Sequence, residues 1–281
     1  MGVGYASQFT RNSAKVGDLT ISYFKGGHGQ PLLYLHGLSG WGRWESHHMT
    51  FGVTNLVYAP QLPGWPEGPI PPSLTSVRNY AQVIAQFLDT VGIHTLDLVG
   101  HSFGGWIALH LAAAYPERVS RLVLVDAMGA DVPEAPMANL ERLDEEAFAR
   151  AAFAQTGEVV IRGDFGGVRE DVRTGQEFER QWKSRAIVAS LVRGHYADPE
   201  LMHRLKTIAA TTLIVWGQQD QIVPWRHGEV LAQAIPRAKC VVITDAGHTP
   251  MREKRETFQR IMHDFLIGQL EGIEKDFMVK R

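Results

Sequence analysis

The stretch with the clearest chemical character is a serine between two glycines, in the sequence Gly100-His101-Ser102-Phe103-Gly104. An apolar run precedes it and a helical pattern follows it, which indicates a tight turn from a strand into a helix. Side chains in place of the two glycines would collide with neighbouring backbone, and the serine backbone is expected to be strained. Such a turn lifts the hydroxyl clear of the sheet and places it at a helix N-terminus. We therefore predict that Ser102 is a nucleophile.

Three further loops carry the groups that a serine nucleophile needs, and each follows an apolar strand. A serine hydroxyl requires an adjacent base, and His248 can accept its proton and return it to a leaving group. Asp220 can orient that imidazole and stabilise its charged form. The backbone N–H groups of Leu38 and Phe103 can bind an oxyanion. Because ligands bind at the carboxyl ends of parallel strands, these loops are expected to converge on one crevice.

One of these assignments has an alternative in the sequence, and three histidines have more than one possible role. Asp126 also follows an apolar strand and is an alternative acid, although the fuller loop motif favours Asp220. His36 is expected to brace the oxyanion loop rather than to react. The adjacent His47 and His48 suggest a metal site. Because neighbouring residues on a helix point apart and no carboxylate is suitably spaced, we predict no metal there.

Alternating strands and helices position these loops. The predicted strands cover 9–16, 19–24, 31–35, 54–59, 95–99, 119–125, 212–216 and 240–244, and the predicted helices cover 41–49, 75–91, 103–115, 225–234 and 253–266. This alternation predicts an α/β fold with a mostly parallel sheet and helices on both faces. Between 127 and 207 the chain is charged and helix-like, without a good strand. We therefore predict a core domain formed by 1–126 and 208–281, with a helical cap (lid) insertion at 127–207.

Composition and charge restrict the expected partners. The chain has 281 residues, of which 44% are hydrophobic and 21% charged, as in a typical globular enzyme. Its formal net charge of −2 gives no electrostatic case for nucleic acid or an anionic membrane as a partner. We recognise neither a membrane-spanning apolar run nor a signal peptide. The single cysteine, Cys240, fits a reducing compartment, so we expect a cytoplasmic monomer or simple homo-oligomer acting on a small molecule without cofactor or metal.

The loops resemble those of the α/β-hydrolases and occur in the order that this family uses. Its nucleophile, acid and base follow one another along the chain, as Ser102, Asp220 and His248 do here. The strand that ends in His-Gly just before Leu38 is similar to the family's oxyanion loop. The similarity extends over nearly all of the chain outside the insertion. It implies the α/β-hydrolase fold, a Ser-His-Asp triad and an oxyanion hole formed by the N–H groups of Leu38 and Phe103.

The activities within this family differ in the nucleophile and in the residues beside it. Epoxide hydrolases and haloalkane dehalogenases use Asp as nucleophile, so Ser102 argues against both. Meta-cleavage-product hydrolases, which cleave carbon–carbon bonds, are similar in size and cap. They carry Asn before the nucleophile and Trp after the catalytic His, where this chain has His101 and Thr249. The resemblance therefore favours a hydrolase of a small, fairly apolar ester, thioester or lactone. The alternatives are a carbon–carbon hydrolase and a catalytically silent small-molecule receptor of the same fold.

Candidates for substrate contacts lie near the oxyanion loop and in the insertion. They are Trp41, Trp182 and Arg185. Most aromatic residues of the insertion are expected to pack its own small core, and only a minority to face the substrate. Charged residues there are expected to lie on a solvated face.

Overall fold

A computed structural model describes residues 8–38, 43–65, 70–154, 163–165, 168–170, 175–192, 194–269 and 278–280. Its strands are β1 (Phe9–Val16), β2 (Leu19–Gly27), β3 (Gln30–Leu35), β4 (Asn55–Pro60), β5 (Leu96–His101), β6 (Val119–Val125), β7 (Gly163–Phe165), β8 (Val168–Glu170), β9 (Thr211–Gly217), β10 (Ala238–Ile243) and β11 (Met278–Lys280). Its helices are α1 (Ser46–Phe51), α2 (Val77–Thr90), α3 (Phe103–Ala114), α4 (Glu145–Ala152), α5 (Gly175–Val192), α6 (Pro199–Arg204), α7 (Arg226–Ala234), α8 (Pro250–Glu253) and α9 (Arg255–Leu266).

Most of these strands form one sheet. Its order is β1-β2-β4-β3-β5-β6-β9-β10-β11. The neighbours from β4 to β10 pair in parallel. The edges are antiparallel, because β1 pairs with β2, β2 with β4, and β11 with β10. The prediction of a mostly parallel sheet is therefore confirmed.

Both faces of the sheet are buried, so successive residues of a strand enter different cores. In β3, Leu33 belongs to a core that includes Phe87 of α2, whereas its neighbour Leu32 belongs to a core that includes Phe51 of α1 and Phe258 of α9. Strands buried on both faces read as continuous apolar runs, which is the pattern that the sequence offers here. None of the helices in the described part of the chain combines the length and apolar character needed to cross a membrane.

Local signals set the ends of the elements near the site. Helix α2 begins after Ser76, whose hydroxyl accepts a hydrogen bond from the amide of Asn79, and is followed by Gly92 with φ +73°. The predicted last helix, 253–266, corresponds to α9, which begins at Arg255 just after the short helix α8. None of the predicted strands covers β11, which pairs Lys280 with Cys240 of β10.

In the described residues between β6 and β9 lie the α-helices α4, α5 and α6. The same segment also contains β7 and β8, which pair antiparallel from Gly163↔Glu170 to Phe165↔Val168. The prediction that this segment lacks strands is therefore wrong. Two strands of three residues are too short to give a recognisable alternation. The limits of a separate cap at 127–207 stay a prediction.

Candidate active site

Ser102 occupies the sharp turn between β5 and α3. Its backbone has φ +54° and ψ −118°, a region that non-glycine residues rarely adopt. The turn is held because the Ser102 amide donates to the carbonyl of Val125 at 2.9 Å, and its own carbonyl accepts from the amide of Gly105 at 2.9 Å. A Cβ on Gly100 would lie only 2.6 Å from the carbonyl oxygen of Gly104. The strain and the close backbone approach both agree with the sequence expectation.

The structure brings Ser102, His248 and Asp220 into one hydrogen-bonded series. The Ser102 Oγ lies 2.8 Å from His248 Nε2, and His248 Nδ1 lies 2.7 Å from Asp220 Oδ2. The other oxygen of Asp220 accepts from the amides of Ile222 at 2.8 Å and Val223 at 3.0 Å. Because an ionised carboxylate only accepts, the proton of the neutral imidazole is on Nδ1 and its Nε2 lone pair faces the serine hydroxyl. All three side chains of the series are buried.

The loop after β3 passes directly against Ser102. A Cβ on Gly37 would lie 2.8 Å from the Cβ of Ser102, so only glycine allows this approach. Within the described ranges, the amides of Leu38 and Phe103 donate no hydrogen bond to another described residue. Phe103 is buried against the indole of Trp65, with ring centroids 5.4 Å apart. The loop after β3 and the start of α3 therefore each provide an amide donor, and the Phe103 ring packs in an apolar contact with Trp65.

Two neutral histidines brace the loops around the site. The Nδ1–H of His36 donates to the carbonyl of Gly37 at 2.7 Å, and its Nε2 accepts from the amide of Leu62 at 3.0 Å. Burial lowers the pKa of His36 to about 4. The Nε2–H of His101 donates to the carbonyl oxygen of His248 at 2.9 Å, and burial together with the nearby His248 lowers the pKa of His101 well below its usual value. The bracing role expected for His36 agrees with its contacts, whereas His101 was noted in the sequence only as a departure from a pattern.

Asp126 lies beside Asp220 rather than in its place. It follows β6 with φ +44°, and its Oδ1 accepts from the amide of Gly217 at 2.9 Å. Among the described residues, Asp126, Asp220 and His248 form a group whose possible ligand atoms all lie within 4.8 Å of one another. The hydrogen bond that His248 Nδ1–H donates is accepted by Asp220, not by Asp126. Burial raises the pKa of Asp126 well above its usual value, and the charge of Asp220 raises it further.

The segment between β6 and β9 is hydrogen-bonded to the loops that carry His248 and Asp220. The carbonyl of Ala152, at the end of α4, accepts from the amide of His248 at 2.7 Å. The carbonyl of Ala151 accepts from the amide of Gln221, which follows Asp220, at 3.0 Å. The carbonyl groups in the last turn of a helix have no intrahelical donors. Here the amides of the two loops of the site are the donors to those carbonyl groups.

Glu253 reinforces the same junction and was not foreseen from the sequence. Its carboxylate accepts from the amides of Gly247 at 3.1 Å and Thr249 at 3.3 Å, and from the Thr249 hydroxyl at 3.2 Å. It also accepts from the amide of Ala154, in the insertion, at 2.9 Å. A helix-start signal is present in the sequence, because Thr249 precedes Pro250 and a glutamate follows within the first turn. That signal indicates a cap but not the contact with a segment 99 residues away.

The predictions for His47 and His48 need correction. Their ring centroids are 4.2 Å apart, and His47 Nδ1 lies 3.5 Å from the carboxylate of Glu45, so the rings do not point apart and a carboxylate is near. Glu45 is paired with Arg252 of α8 at 2.6 Å, and its amide donates to His48 Nδ1 at 2.9 Å. Burial lowers the pKa of His47 to about 4. The cluster is a buried ion pair with two neutral imidazoles, and it joins the start of α1 to the helix that follows His248.

Of the three candidate substrate contacts, the structure describes the side chain of Arg185. Trp41 lies outside the described residues, and Trp182 belongs to α5 but its side chain lies outside them. Arg185 is 4% exposed, donates to the carbonyl of Leu143 at 2.9 Å and lies 4.7 Å over the ring of Phe148. The expectation that charged residues of the insertion lie on a solvated face is therefore wrong for Arg185. Its contacts connect α5 to α4.

Comparison with known proteins places this geometry in a family. A family model described as alpha/beta hydrolase fold matches residues 30–254. A 2-hydroxy-6-oxo-6-phenylhexa-2,4-dienoate hydrolase from Comamonas testosteroni is 28% identical over 94% of this chain and 97% of that protein.

Solved structures agree with the fold. A putative lipase (lip1) from Acinetobacter baumannii AYE has a TM-score of 0.72 and 26% identity, covering 95% of this chain and 94% of that chain. A membrane phospholipase A described as a bacterial virulence factor has a TM-score of 0.70 and 26% identity, covering 94% of this chain and 87% of that chain. The chain belongs to the α/β-hydrolase fold family and is a hydrolase.

Proposed function

We propose that the protein is a serine hydrolase that cleaves a small, fairly apolar carboxylic ester, thioester or lactone through an acyl-enzyme. The observation that carries this proposal is the hydrogen-bonded series Ser102–His248–Asp220, with contacts of 2.8 and 2.7 Å. A nucleophile and base within hydrogen-bond reach, with the base oriented by a third group, are what acyl transfer to serine requires.

The proposed reaction uses each group once in each half. Ser102 Oγ attacks the carbonyl carbon while His248 Nε2 accepts its proton, and the oxyanion receives hydrogen bonds from the amides of Leu38 and Phe103. The imidazolium, stabilised by Asp220, then donates that proton to the leaving alkoxide, thiolate or ring oxygen. A water molecule attacks the acyl-enzyme with His248 again as base, which releases the acid and restores the serine.

The contacts beside the triad favour ester cleavage over carbon–carbon cleavage. In the resemblance described above, carbon–carbon hydrolases carry Asn and Trp where this chain has His101 and Thr249. His101 donates to the backbone of His248, and Thr249 is bound by Glu253. The side chains at both positions are thus hydrogen-bonded within the protein. Arg185, one of the candidate substrate contacts, is packed against Phe148.

A carbon–carbon hydrolase is the second candidate. It is favoured by the relative from Comamonas testosteroni, which is named for a dienoate substrate and is 28% identical over nearly its whole length. The third reading, a silent receptor, predicts binding without turnover. The ordered hydrogen bonds around Ser102 argue against it, because a receptor has no need of them.

The experiment compares kcat/KM of the purified protein on p-nitrophenyl esters of graded acyl length, on simple lactones and on a ring-fission dienoate. We expect an ester or lactone to exceed the dienoate by about a hundredfold, and Ser102→Ala to remove that turnover. The reverse preference, with dienoate turnover that is lost in Ser102→Ala, would establish the carbon–carbon reading. Binding of these compounds without turnover of any of them would favour the receptor.

A further inference from the structure

We propose that Asp126 is a positioning residue, held as a neutral carboxylic acid whose Oδ2–H donates a hydrogen bond to the carboxylate of Asp220. This inference rests on the proposed function only for what Asp220 does in catalysis. The protonation state of Asp126 follows from its surroundings and can be measured without any substrate.

The contacts of Asp126 leave one oxygen for that hydrogen bond. Its side chain is fully buried, and Oδ1 accepts from the amide of Gly217 at 2.9 Å. Within the described part of the chain, Oδ2 is buried and has no conventional donor. One carboxyl oxygen of Asp126, one of Asp220 and one ring nitrogen of His248 all lie within 4.8 Å of one another. Two ionised carboxylates offer only acceptors to each other, so a favourable contact between them requires a proton.

The distribution of donors determines which carboxyl carries that proton. Asp220 accepts from the amides of Ile222 and Val223 and from His248 Nδ1, which stabilise its ionised form. Asp126 accepts from one described amide, that of Gly217. Burial disfavours a second charge at this site, and Asp220 itself makes the largest charge contribution to raising the pKa of Asp126. Glu253 of α8 adds negative charge and acts in the same direction.

A neutral Asp126 would hold the carboxylate of Asp220 by a contact additional to the one with His248. The Asp126 amide donates to the carbonyl of Val215 at 3.1 Å, so the residue is tied to β9 through both backbone and side chain. Its hydroxyl would restrict rotation of the Asp220 carboxylate, and the orientation of the His248 imidazole depends on that carboxylate. Asp126 contacts no reacting atom in this scheme, so its effect would appear in kcat rather than in KM.

The first test reads the proton directly. Infrared difference spectra of wild type minus Asp126→Asn are recorded at neutral pH in H2O and D2O. We expect wild type to contain one additional protonated-carboxyl C=O band that shifts in D2O. Other buried carboxyls with raised pKa values, such as Asp97, are common to both proteins and cancel. Loss of only an ionised carboxylate band in the variant would overturn the proposal. It would also be the result if a cation were shared by Asp126, Asp220 and His248, because both carboxyls would then be ionised.

The second test asks whether a neutral donor suffices. Asn tolerates φ +44° and can present an N–H to Asp220 and a carbonyl to Gly217, so Asp126→Asn should keep kcat within about threefold. Asp126→Ala removes the donor and should lower kcat by about tenfold or more, with little change in KM. Equal losses of kcat in the two variants would contradict the proposal.

The control separates lost hydrogen bonding from backbone strain. Asp245 also has a positive φ, +52°, but is exposed on the surface. Asp245→Ala introduces the same type of strain in the loop before His248, at an exposed side chain that pairs with Lys254 at 3.5 Å. It removes no hydrogen bond to Asp220, so its loss of kcat should be much smaller than that of Asp126→Ala, and an equal loss would assign the effect to strain. If wild type turns over no ester at all, the proposed function fails, while the infrared result still decides the state of Asp126.

Discussion

The imidazole Nε2 of His101 lies 2.9 Å from the carbonyl oxygen of His248, so the residue before the proposed nucleophile holds the backbone of the proposed base. Burial and the adjacent His248 lower the pKa of His101 well below its usual value, which keeps it neutral. A neutral His101 can donate this hydrogen bond without opposing the positive charge that the proposed mechanism develops on His248.

Replacing His101 should therefore affect the chemical step. His101→Ala leaves the carbonyl of His248 without its donor and should lower kcat by about tenfold, with KM changed much less. His101→Gln places an amide N–H near the original Nε2 and should recover most of the loss. Steady-state kinetics on the best ester give both values. An alanine variant with unchanged kcat would show that the contact does not position His248.

Loss of the Glu253 carboxylate should lower both the stability of the protein and its activity. Glu253→Ala removes the acceptor shared by the amides of Gly247, Thr249 and Ala154. Leaving such donors unsatisfied costs about 1–3 kcal/mol each when they are buried, so we expect Tm to fall by several degrees and kcat to decrease. Glu256→Ala is the matched control, because Glu256 is exposed on the next helix. Equal Tm values for the two variants would contradict a stabilising role of the hydrogen bonds that Glu253 accepts.

The acid of the triad can be assigned by two asparagine variants. Asp220→Asn removes the acceptor for His248 Nδ1–H and should lower kcat by about 10²–10⁴. Asp126→Asn should cost far less, because Asp126 does not accept the hydrogen bond from His248. The measurement is kcat on one ester at the pH optimum for wild type and both variants. A reversed order would assign the acid to Asp126.

The raised pKa of Asp126 also predicts a pH-dependent stability. An acid with a higher pKa in the folded than in the unfolded state binds more protons when folded, so its contribution falls as pH rises above the unfolded pKa of about 3.9. Asp126→Asn removes that loss. Its free energy of unfolding minus that of wild type should therefore increase with pH, by up to about 1.4 kcal/mol per unit. Denaturant unfolding between about pH 5 and 8 measures this, and a difference independent of pH would contradict it.

Much of the fold could be predicted because its signals are local. The predicted strand 119–125 contains the apolar run Leu122–Val125, and the observed β6 has the predicted limits. The turn at Ser102 combines a buried strand, two glycines and a helix, so its place was readable from the sequence. Strand β11 was missed because it is short and gains its partner, Cys240, only through folding. The strands β7 and β8 were missed for the same reason of length.

The details of the site depend on contacts between distant segments, which spacing along the chain does not reveal. Asp126 was foreseen as an alternative to Asp220, but its position beside that residue depends on the pairing of β6 with β9. Glu253 reads as a helix-start residue, and its contact with Ala154 requires the insertion to fold back onto the core. The error for His47 and His48 arose because spacing along the chain does not show that the two rings pack together or that the Glu45 carboxylate lies beside His47.

The most direct measurement of the central claim is covalent labelling with a fluorophosphonate, followed by mass spectrometry of the labelled peptide. The account predicts stoichiometric labelling of wild type at Ser102, with loss of ester turnover in parallel. Ser102→Ala should be folded, unlabelled and lower in kcat by about 10³ or more. Labelling at another residue, or ester turnover that survives in Ser102→Ala, would contradict the assignment of Ser102 as the nucleophile.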